Sequence, residues 1–336
     1  MPKTMKWSLP WQDAWAEFFC RCLLPRYRGK LAKNCAGMAI SAMTFPSTEQ
    51  LEDGVMAGGT TKLGHLVAVL ATALVLSVSP VAACSPVDFT SMAIVERTRA
   101  PVLDALLMAY RDIEISADGT KLSLDGRHWI DVGEIRSVTP NEVLRSATVS
   151  EQFLYHYPLN FDLSRRKEPF FDPGRPRNDA FFKALYFDSE DRTRETLVKV
   201  PAPGLSEATF WVTRKWGVDC QLRMALQVLA ESDEDFSRFF KSPGGAFNWR
   251  RISGTSRLSP HSFGIAVDIN AELGQYWKWT GANEGDVGAY DNKVPEALVS
   301  TMERFGFIWG GKWHHFDGMH FEYRPELILY SRMVLQ

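Results

Sequence analysis

Two short segments near the C-terminus hold four of the seven histidines of this 336-residue chain. Residues 259–268 read SPHSFGIAVD, and residues 313–322 read WHHFDGMHFE. The small and apolar residues of 264–269 predict a buried strand that carries Asp268. His261 would lie in the turn before that strand, and His320 would lie on a neighbouring strand about 4.8 Å away. These three side chains are therefore expected to meet in an apolar setting, where an uncompensated charge is costly.

This combination of side chains matches the requirements of a catalytic zinc site. Such a site takes three protein ligands and keeps one position open, and imidazole and carboxylate groups both suit zinc. His261, Asp268 and His320 would supply the set for one Zn²⁺ ion. Asp317 and Glu322 both flank His320, and either carboxylate could act as the general base towards a metal-bound water. The residues alone do not choose between them.

The order Ser-x-His-x-x-Gly-x-Ala-x-Asp, followed by an acidic residue and x-x-His, resembles a known family. It is the D-alanyl-D-alanine carboxypeptidase family of zinc peptidoglycan peptidases, which includes vancomycin-resistance D,D-carboxypeptidases and L-alanyl-D-glutamate endolysins. Residues 247–255 and 306–313 resemble the segments that precede its two motifs, so the resemblance covers about 245–328. It implies an α+β fold of the Hedgehog/D,D-peptidase type, in which helices flank a small antiparallel sheet that carries the zinc site.

The resemblance also implies roles for single positions. His261, Asp268 and His320 would be the zinc ligands, and Asp317, where many relatives have glutamate, would be the general base. Arg250 would hold a substrate carboxylate or the developing oxyanion. The remaining candidates, which would contact the substrate or a metal ligand, are Arg251 (the alternative to Arg250), Ser259, His315 and Glu322. His314 is expected to be solvated.

The implied substrate is the D-amino-acid-containing peptide stem of bacterial peptidoglycan, and the first expectation is a D,D-carboxypeptidase. An L-Ala-D-Glu endopeptidase and a catalytically silent, zinc-dependent cell-wall binding module are the alternatives. Asp317 and the upstream arginine favour an enzyme. A serine or cysteine hydrolase is disfavoured, because the sequence has no Gly-x-Ser-x-Gly elbow. The net charge of -2 gives no basic field for nucleic acid.

An apolar segment upstream of these motifs predicts export. Thirteen uncharged residues, 66–78, follow Lys62 and precede small residues up to Ala83. This layout is typical of a secretory signal peptide, which we place at residues 56–83. Residues 1–55 would then be an upstream extension that is untranslated if the start lies at Met56, and a cytoplasmic extension is the alternative. The predicted location is the periplasm or cell envelope.

Cys84 follows directly after the predicted signal, and three fates are open to it. The sequence VAAC resembles a lipoprotein processing site, which would acylate Cys84 and anchor the protein to the membrane. Ordinary signal-peptidase cleavage is the second fate, and a disulfide to Cys220 in an oxidising compartment is the third. Cys220 lies in an apolar helical pattern and is expected to be simply buried.

The sequence divides the exported part into a mainly helical region, 84–194, and a zinc peptidase domain, 195–336. The oligomeric state stays open. Helices are predicted at 92–115 with a restart at Pro101, and at 139–157, 178–186 and 218–231. The other predicted elements are a hairpin over 120–132, a proline-rich loop over 159–177 and a strand over 210–212.

Overall fold

The computed structural model of the protein describes residues 84–253 and 255–335, which belong to one compact unit. The predicted upstream extension and signal peptide lie outside these residues. Within the described ranges, the protein has no helix of sufficient length and hydrophobicity to cross a bilayer.

The N-terminal part of the described chain combines short helices with a small sheet. Its helices are α1 (Pro101–Ala109), α2 (Pro140–Arg145), α3 (Asp179–Leu185) and α4 (Glu190–Arg194). Its three-stranded antiparallel sheet has the order β1 (Glu114–Ile115), β2 (Lys121–Ser123) and β3 (Ile130–Asp131).

The C-terminal part contains a two-stranded and a four-stranded antiparallel sheet. The first sheet pairs β4 (Leu197–Pro201) with β5 (Thr209–Thr213). The second has the order β6 (Pro243–Gly245), β7 (Ala266–Asn270), β9 (His320–Tyr323) and β8 (Phe307–Trp309). The helices are α5 (Val218–Ala230), α6 (Ser237–Phe240), α7 (Glu296–Arg304) and α8 (Pro325–Val334).

The expected α+β class, with small antiparallel sheets and several helices, is confirmed. The register of the four-stranded sheet matters most for function, because Asp268 on β7 lies directly opposite His320 on β9. Opposite residues of an antiparallel pair have Cβ atoms about 4.5–5.5 Å apart, so the pairing brings these side chains together.

The structure corrects two of the predicted helices. Of 92–115, only Pro101–Ala109 is helical, and Pro101 at the first turn starts it because proline needs no N–H partner there. Residues 114–115 pair as a strand instead. The helix predicted over 139–157 is only Pro140–Arg145, capped by the Thr139 side chain, and a separate 3₁₀ turn follows at Ser150–Phe153. The hairpin β2–β3, helices α3 and α5 and strand β5 are confirmed.

Contacts join the two predicted regions across their expected boundary at residue 194. Helix α1 packs against α8, and the Tyr110 hydroxyl donates to Glu326 Oε2 at 2.6 Å. The ring of Phe89 packs edge-on against Tyr323. The boundary itself stays a prediction, while residues from both sides contribute to the same hydrophobic core.

Cys84 and Cys220 form a disulfide that spans 136 positions. Cys220 is therefore not simply a buried thiol, and it is partly exposed. A lipid on the Cys84 sulfur and this disulfide exclude each other, because one sulfur cannot form both bonds. Of the three fates predicted for Cys84, the structure thus supports the disulfide to Cys220.

Candidate metal centre and active site

His261 is held in a 3₁₀ turn, Pro260–Phe263, in front of β7. The Ser259 hydroxyl accepts the His261 N–H at 3.4 Å, so this serine orients the turn. Gly264 ends the turn with φ of +67°, and its carbonyl accepts the Thr213 N–H at 2.9 Å. A Cβ at this position would lie 2.9 Å from the Thr213 nitrogen. Glycine is therefore required for both the backbone conformation and the close approach of β5.

Three ligand atoms converge at the ends of these elements. His261 Nε2 and His320 Nδ1 are 3.2 Å apart, and each lies close to Asp268 Oδ1, at 3.2 and 3.0 Å respectively. Zinc binds nitrogen and oxygen at about 2.0–2.2 Å, so neighbouring corners of its tetrahedron lie about 3.3–3.5 Å apart. The observed triangle is only slightly tighter. These three residues fit one zinc ion with a fourth position open.

The hydrogen bonds of both histidines leave the converging nitrogens free to act as ligands. His261 Nδ1 lies 2.5 Å from the Ala246 carbonyl, which can only accept, so the proton sits on Nδ1 and Nε2 keeps its lone pair. His320 Nε2 donates in the same way to Glu322 Oε2 at 3.0 Å, so Nδ1 is the nitrogen that a metal ion would bind in place of a proton. Such outer partners fix the tautomer and the ring orientation of a metal-binding histidine.

The charges around this triangle favour a cation. Burial raises the pKa of the Asp268 carboxyl, but His261 and His320 outweigh this effect and hold that pKa well below its usual range. For His320, burial lowers the pKa, while hydrogen bonds to Asp268 and Glu322 raise it to about 10. A metal cation would satisfy the same carboxylates that otherwise hold a proton on His320.

Glu322 is fully buried and clamped by two arginines. Arg177 donates to both of its oxygens, with Nε to Oε1 at 3.2 Å, and Arg324 Nη1 donates to Oε1 at 3.0 Å. Burial raises the pKa of Glu322, but Arg177, His320 and Arg324 together lower it well below its usual range. A carboxylate held ionised in this way is a poor proton acceptor, so the geometry favours Asp317 as the base.

Asp317 lies in the loop between β8 and β9 and is fixed by its own backbone. Its N–H donates to the Gly310 carbonyl at 3.0 Å, and its carbonyl accepts the His320 N–H at 3.1 Å. Its side-chain Oδ1 is buried, with no hydrogen-bond partner among the described residues. Burial, helped by the negative charge of Asp268, raises the pKa of Asp317 to about 6. That value suits a group that takes up and releases a proton near neutral pH.

The two candidate arginines differ in what they contact. The Arg251 side chain donates to the Ser256 carbonyl within its own loop. Arg250 is exposed, and its backbone N–H donates to the Ser262 hydroxyl at 2.9 Å, which ties it to the turn of His261. Its charge also acts on Tyr276, whose backbone pairs with Asp317. Arg250 is therefore the better placed of the two to meet a substrate.

The two adjacent histidines, His314 and His315, are structural. His315 is buried, with Nδ1 2.6 Å from Asp172 Oδ2 and Nε2 accepting the Gly285 N–H at 3.2 Å. Both ring nitrogens are thus engaged away from the metal ligands, contrary to the expected contact with substrate or ligand. His314 is buried rather than solvated, and its Nδ1 lies 2.9 Å from the Arg166 carbonyl.

No role in the site was predicted for the proline-rich segment 171–177, which contacts Glu322 and His315. In this segment Arg177 binds Glu322, while Asp172 holds His315 and accepts from Arg175 at 2.9 Å. The charge of Arg175 also opposes the rise in the pKa of Asp317. The signal in the sequence was the alternation of arginine with proline at 175–177, which favours extended backbone.

A comparison with known families supports the interpretation of these residues as a candidate metal centre and active site. Residues 253–323 match the family model described as D-alanyl-D-alanine carboxypeptidase (Peptidase_M15_4). The matched segment contains the three candidate ligands, Asp317 and Glu322, and it begins just after Arg250 and Arg251. No curated protein and no solved structure matches the chain. The resemblance predicted from the sequence is thereby confirmed for this segment.

Proposed function

We propose that this chain, a peptidase of the D-alanyl-D-alanine carboxypeptidase family by its residues 253–323, is a zinc-dependent D,D-carboxypeptidase of peptidoglycan stem peptides. One observation carries the proposal. The ligand atoms of His261, Asp268 and His320 lie 3.0–3.2 Å apart, close to the spacing around a single zinc ion, and the carboxyl of Asp317 interacts electrostatically with all three residues.

In this proposal the reaction is hydrolysis of a peptide bond by one water molecule. When bound, zinc would supply a Lewis acid for the scissile carbonyl and lower the pKa of the attacking water. Asp317 accepts the proton of that water and passes it to the leaving amine, so the products are a carboxylic acid and a free D-amino acid. The buried clamp of Glu322 keeps His320 oriented throughout.

Arg250 is the residue that favours a carboxypeptidase over an endopeptidase. It lines a cavity of about 300 Å³ together with Trp249, two further basic side chains and Asp188, whose carboxylate pairs with Arg192 at 3.3 Å. Among the described residues, no hydrogen bond or ion pair occupies the Arg250 guanidinium. A cation free to bind a terminal carboxylate favours removal of the last residue over cleavage within the stem.

The proposed site of action is outside the cytoplasm. The Cys84–Cys220 disulfide is typical of proteins in oxidising compartments. Together with the signal peptide predicted at 56–83, it supports a place in the periplasm or cell envelope, where peptidoglycan is found.

Hydrolysis of purified muropeptides, followed by mass spectrometry, tests the proposal. The purified protein would be assayed after chelation and after zinc is returned, with His261→Ala and Asp317→Asn as controls. Zinc-restored loss of a terminal D-alanine supports the carboxypeptidase. Cleavage inside the stem would instead establish an endopeptidase, and zinc binding without cleavage of any muropeptide would establish a binding module.

A further inference from the structure

A second basic cavity lies outside the metal centre. Its volume is about 410 Å³, and three arginines, Arg145, Arg177 and Arg257, contribute to its lining together with Thr148 and Asn178. Arg177 also binds Glu322, which in turn contacts His320. Two side chains thus separate this cavity from the candidate zinc ligands.

Arg257 is the unusual member of this lining. Its side chain is buried, with 8 % of the residue exposed, and its Nε has no hydrogen-bond partner among the described residues. The one hydrogen bond that its side chain forms with the described residues is a long one of 3.5 Å, from Nη1 to the Arg175 carbonyl. A guanidinium carries five N–H donors, so most of its hydrogen-bonding capacity is unused by the described protein.

The carboxylates around the cavity already have other partners. Asp131 pairs with Lys121 at 3.0 Å, and Asp179 pairs with Lys183 at 2.6 Å. Glu322 is taken up by Arg177 and a second arginine. Among the described residues, no carboxylate forms an ion pair with Arg257.

The surroundings of Arg257 are electrostatically unfavourable for a lone cation. Burial lowers its pKa to about 10, and repulsion from Arg177 and Arg175 adds to this effect. Asp179 and Glu322 offset part of it from a distance. A buried charge without a partner is costly, and an anion in the cavity would remove that cost.

We propose that this cavity is a binding site for a small oxyanion, with Arg257 as its central ligand and Arg145 at its rim. Arginine presents planar pairs of donors that match a carboxylate or a tetrahedral oxyanion. The oxyanion could be a carboxylate of a peptide or a free inorganic anion, and both offer the same chemistry to the guanidinium. The site does not depend on the proposed peptidase activity.

Calorimetric titration of the zinc-loaded protein with sulfate, and separately with acetate, at constant ionic strength tests this site. One saturable site is expected, and Arg257→Met should weaken it by about tenfold or more, because it removes the charge-assisted hydrogen bonds of the guanidinium. Arg223→Met, which removes an exposed arginine of α5, is the matched control and should leave the affinity unchanged.

Binding of sulfate alone would identify an inorganic tetrahedral anion, and binding of acetate would identify a carboxylate. Either result, with loss in Arg257→Met, supports the site. If Arg257→Met does not fold, Arg145→Met keeps the test open, because this exposed residue should also weaken the affinity. Absence of saturable binding by both anions, or unchanged affinity in the cavity variants, would overturn the proposal.

Discussion

Glu322 accepts the Nε2 proton of His320 at 3.0 Å and is itself held by Arg177, a residue 145 positions earlier in the chain. The orientation of a candidate metal ligand thus depends on a segment far outside its own motif. Arg324 extends this connection, because it donates both to Glu322 and to the carbonyl of Gly174. The segment 171–177 is therefore part of the structure that supports the site.

Replacing Glu322 with glutamine tests this support. The neutral side chain would leave Arg177 and Arg324 buried with less counter-charge, so the free energy of unfolding should fall by about 3–5 kcal/mol. Loss of an outer partner of a metal-binding histidine should lower zinc affinity about 10- to 100-fold. Urea unfolding and zinc competition with a chromophoric chelator measure the two effects. Glu296→Gln, at an exposed position of α7, should change neither. If Glu322→Gln had the free energy of unfolding and the zinc affinity of the wild type, Glu322 would not support the site in the way proposed.

Removing the metal should destabilise the fold. A ligand that binds only the folded state stabilises it by about 4 kcal/mol when present at 1,000 times its dissociation constant. We expect zinc to raise the melting temperature of the chelator-treated protein, and Asp268→Asn to abolish this rise. Asp286→Asn, at an exposed position, is the control and should retain it. An equal rise in Asp268→Asn would show that zinc binds elsewhere.

Asp317→Asn should separate catalysis from metal binding. Asparagine keeps the shape of the side chain but cannot accept a proton, so kcat should fall about 10²- to 10⁴-fold. Zinc stoichiometry should stay at one per chain, since Asp317 is not among the three converging residues. Turnover of a D-Ala-D-Ala peptide and metal analysis of the same sample measure both quantities. A normal kcat in this variant would show that another residue is the general base.

The metal ligands could be predicted from sequence because they lie in two compact segments of regular spacing. His261 lies in the turn that precedes the strand of Asp268, and the apolar pattern predicts that His320 lies on a neighbouring strand, where the structure pairs it with Asp268. Arg177 could not be found in this way. It lies in a proline-rich segment without periodicity, and its partner Glu322 is brought to it only by tertiary packing.

The helix prediction over 92–115 failed for a related reason. The apolar spacing of 92–115 continues through Pro101 and past Ala109, but the backbone leaves the helix at Tyr110, whose hydroxyl binds Glu326 of α8. Tertiary contacts therefore override the local pattern at this position. By contrast, Val218–Ala230 has one apolar face over its whole length and forms the helix that the pattern predicts.

The pH dependence of turnover should report Asp317. Burial and the charge of Asp268 raise its pKa to about 6, while His320, His261 and Arg175 oppose this shift. The base must be ionised, so kcat should rise with pH through this value. The positive charge of bound zinc lowers the pKa further, which places the acidic limb at or below about pH 6. A pH–rate profile of the zinc-loaded protein measures it, and a limb well above pH 7 would contradict the assignment.

The raised pKa of Asp317 also affects the free energy of unfolding of the metal-free protein. A carboxyl whose pKa is higher in the folded than in the unfolded state favours folding at low pH. This contribution should be lost as pH rises from about 4 to about 6, the range between the ordinary pKa of aspartate and that of Asp317. Chelator-treated wild-type protein should therefore lose stability relative to Asp317→Asn over this range. Urea unfolding of both proteins at several pH values measures the difference, and parallel curves would exclude it.

The Cys84–Cys220 disulfide should contribute strongly to stability. It closes a loop over 136 positions, for which the chain-entropy estimate is about 5 kcal/mol. It also anchors the first described residues, where Val87 and the Gln221 side chain exchange two hydrogen bonds of 3.0 and 3.1 Å. Reductant should therefore lower the urea midpoint of the wild type.

The double variant Cys84→Ser/Cys220→Ser is the control for this measurement, and its midpoint should be low and insensitive to reductant. Non-reducing peptide mapping of protein from the producing cells should recover the two cysteines in one linked peptide. A Cys84 peptide that instead carries acyl mass would contradict the disulfide and restore the lipid anchor. In that case the wild type and the double variant should respond alike to reductant, because no bond between the two sulfurs would exist to be broken.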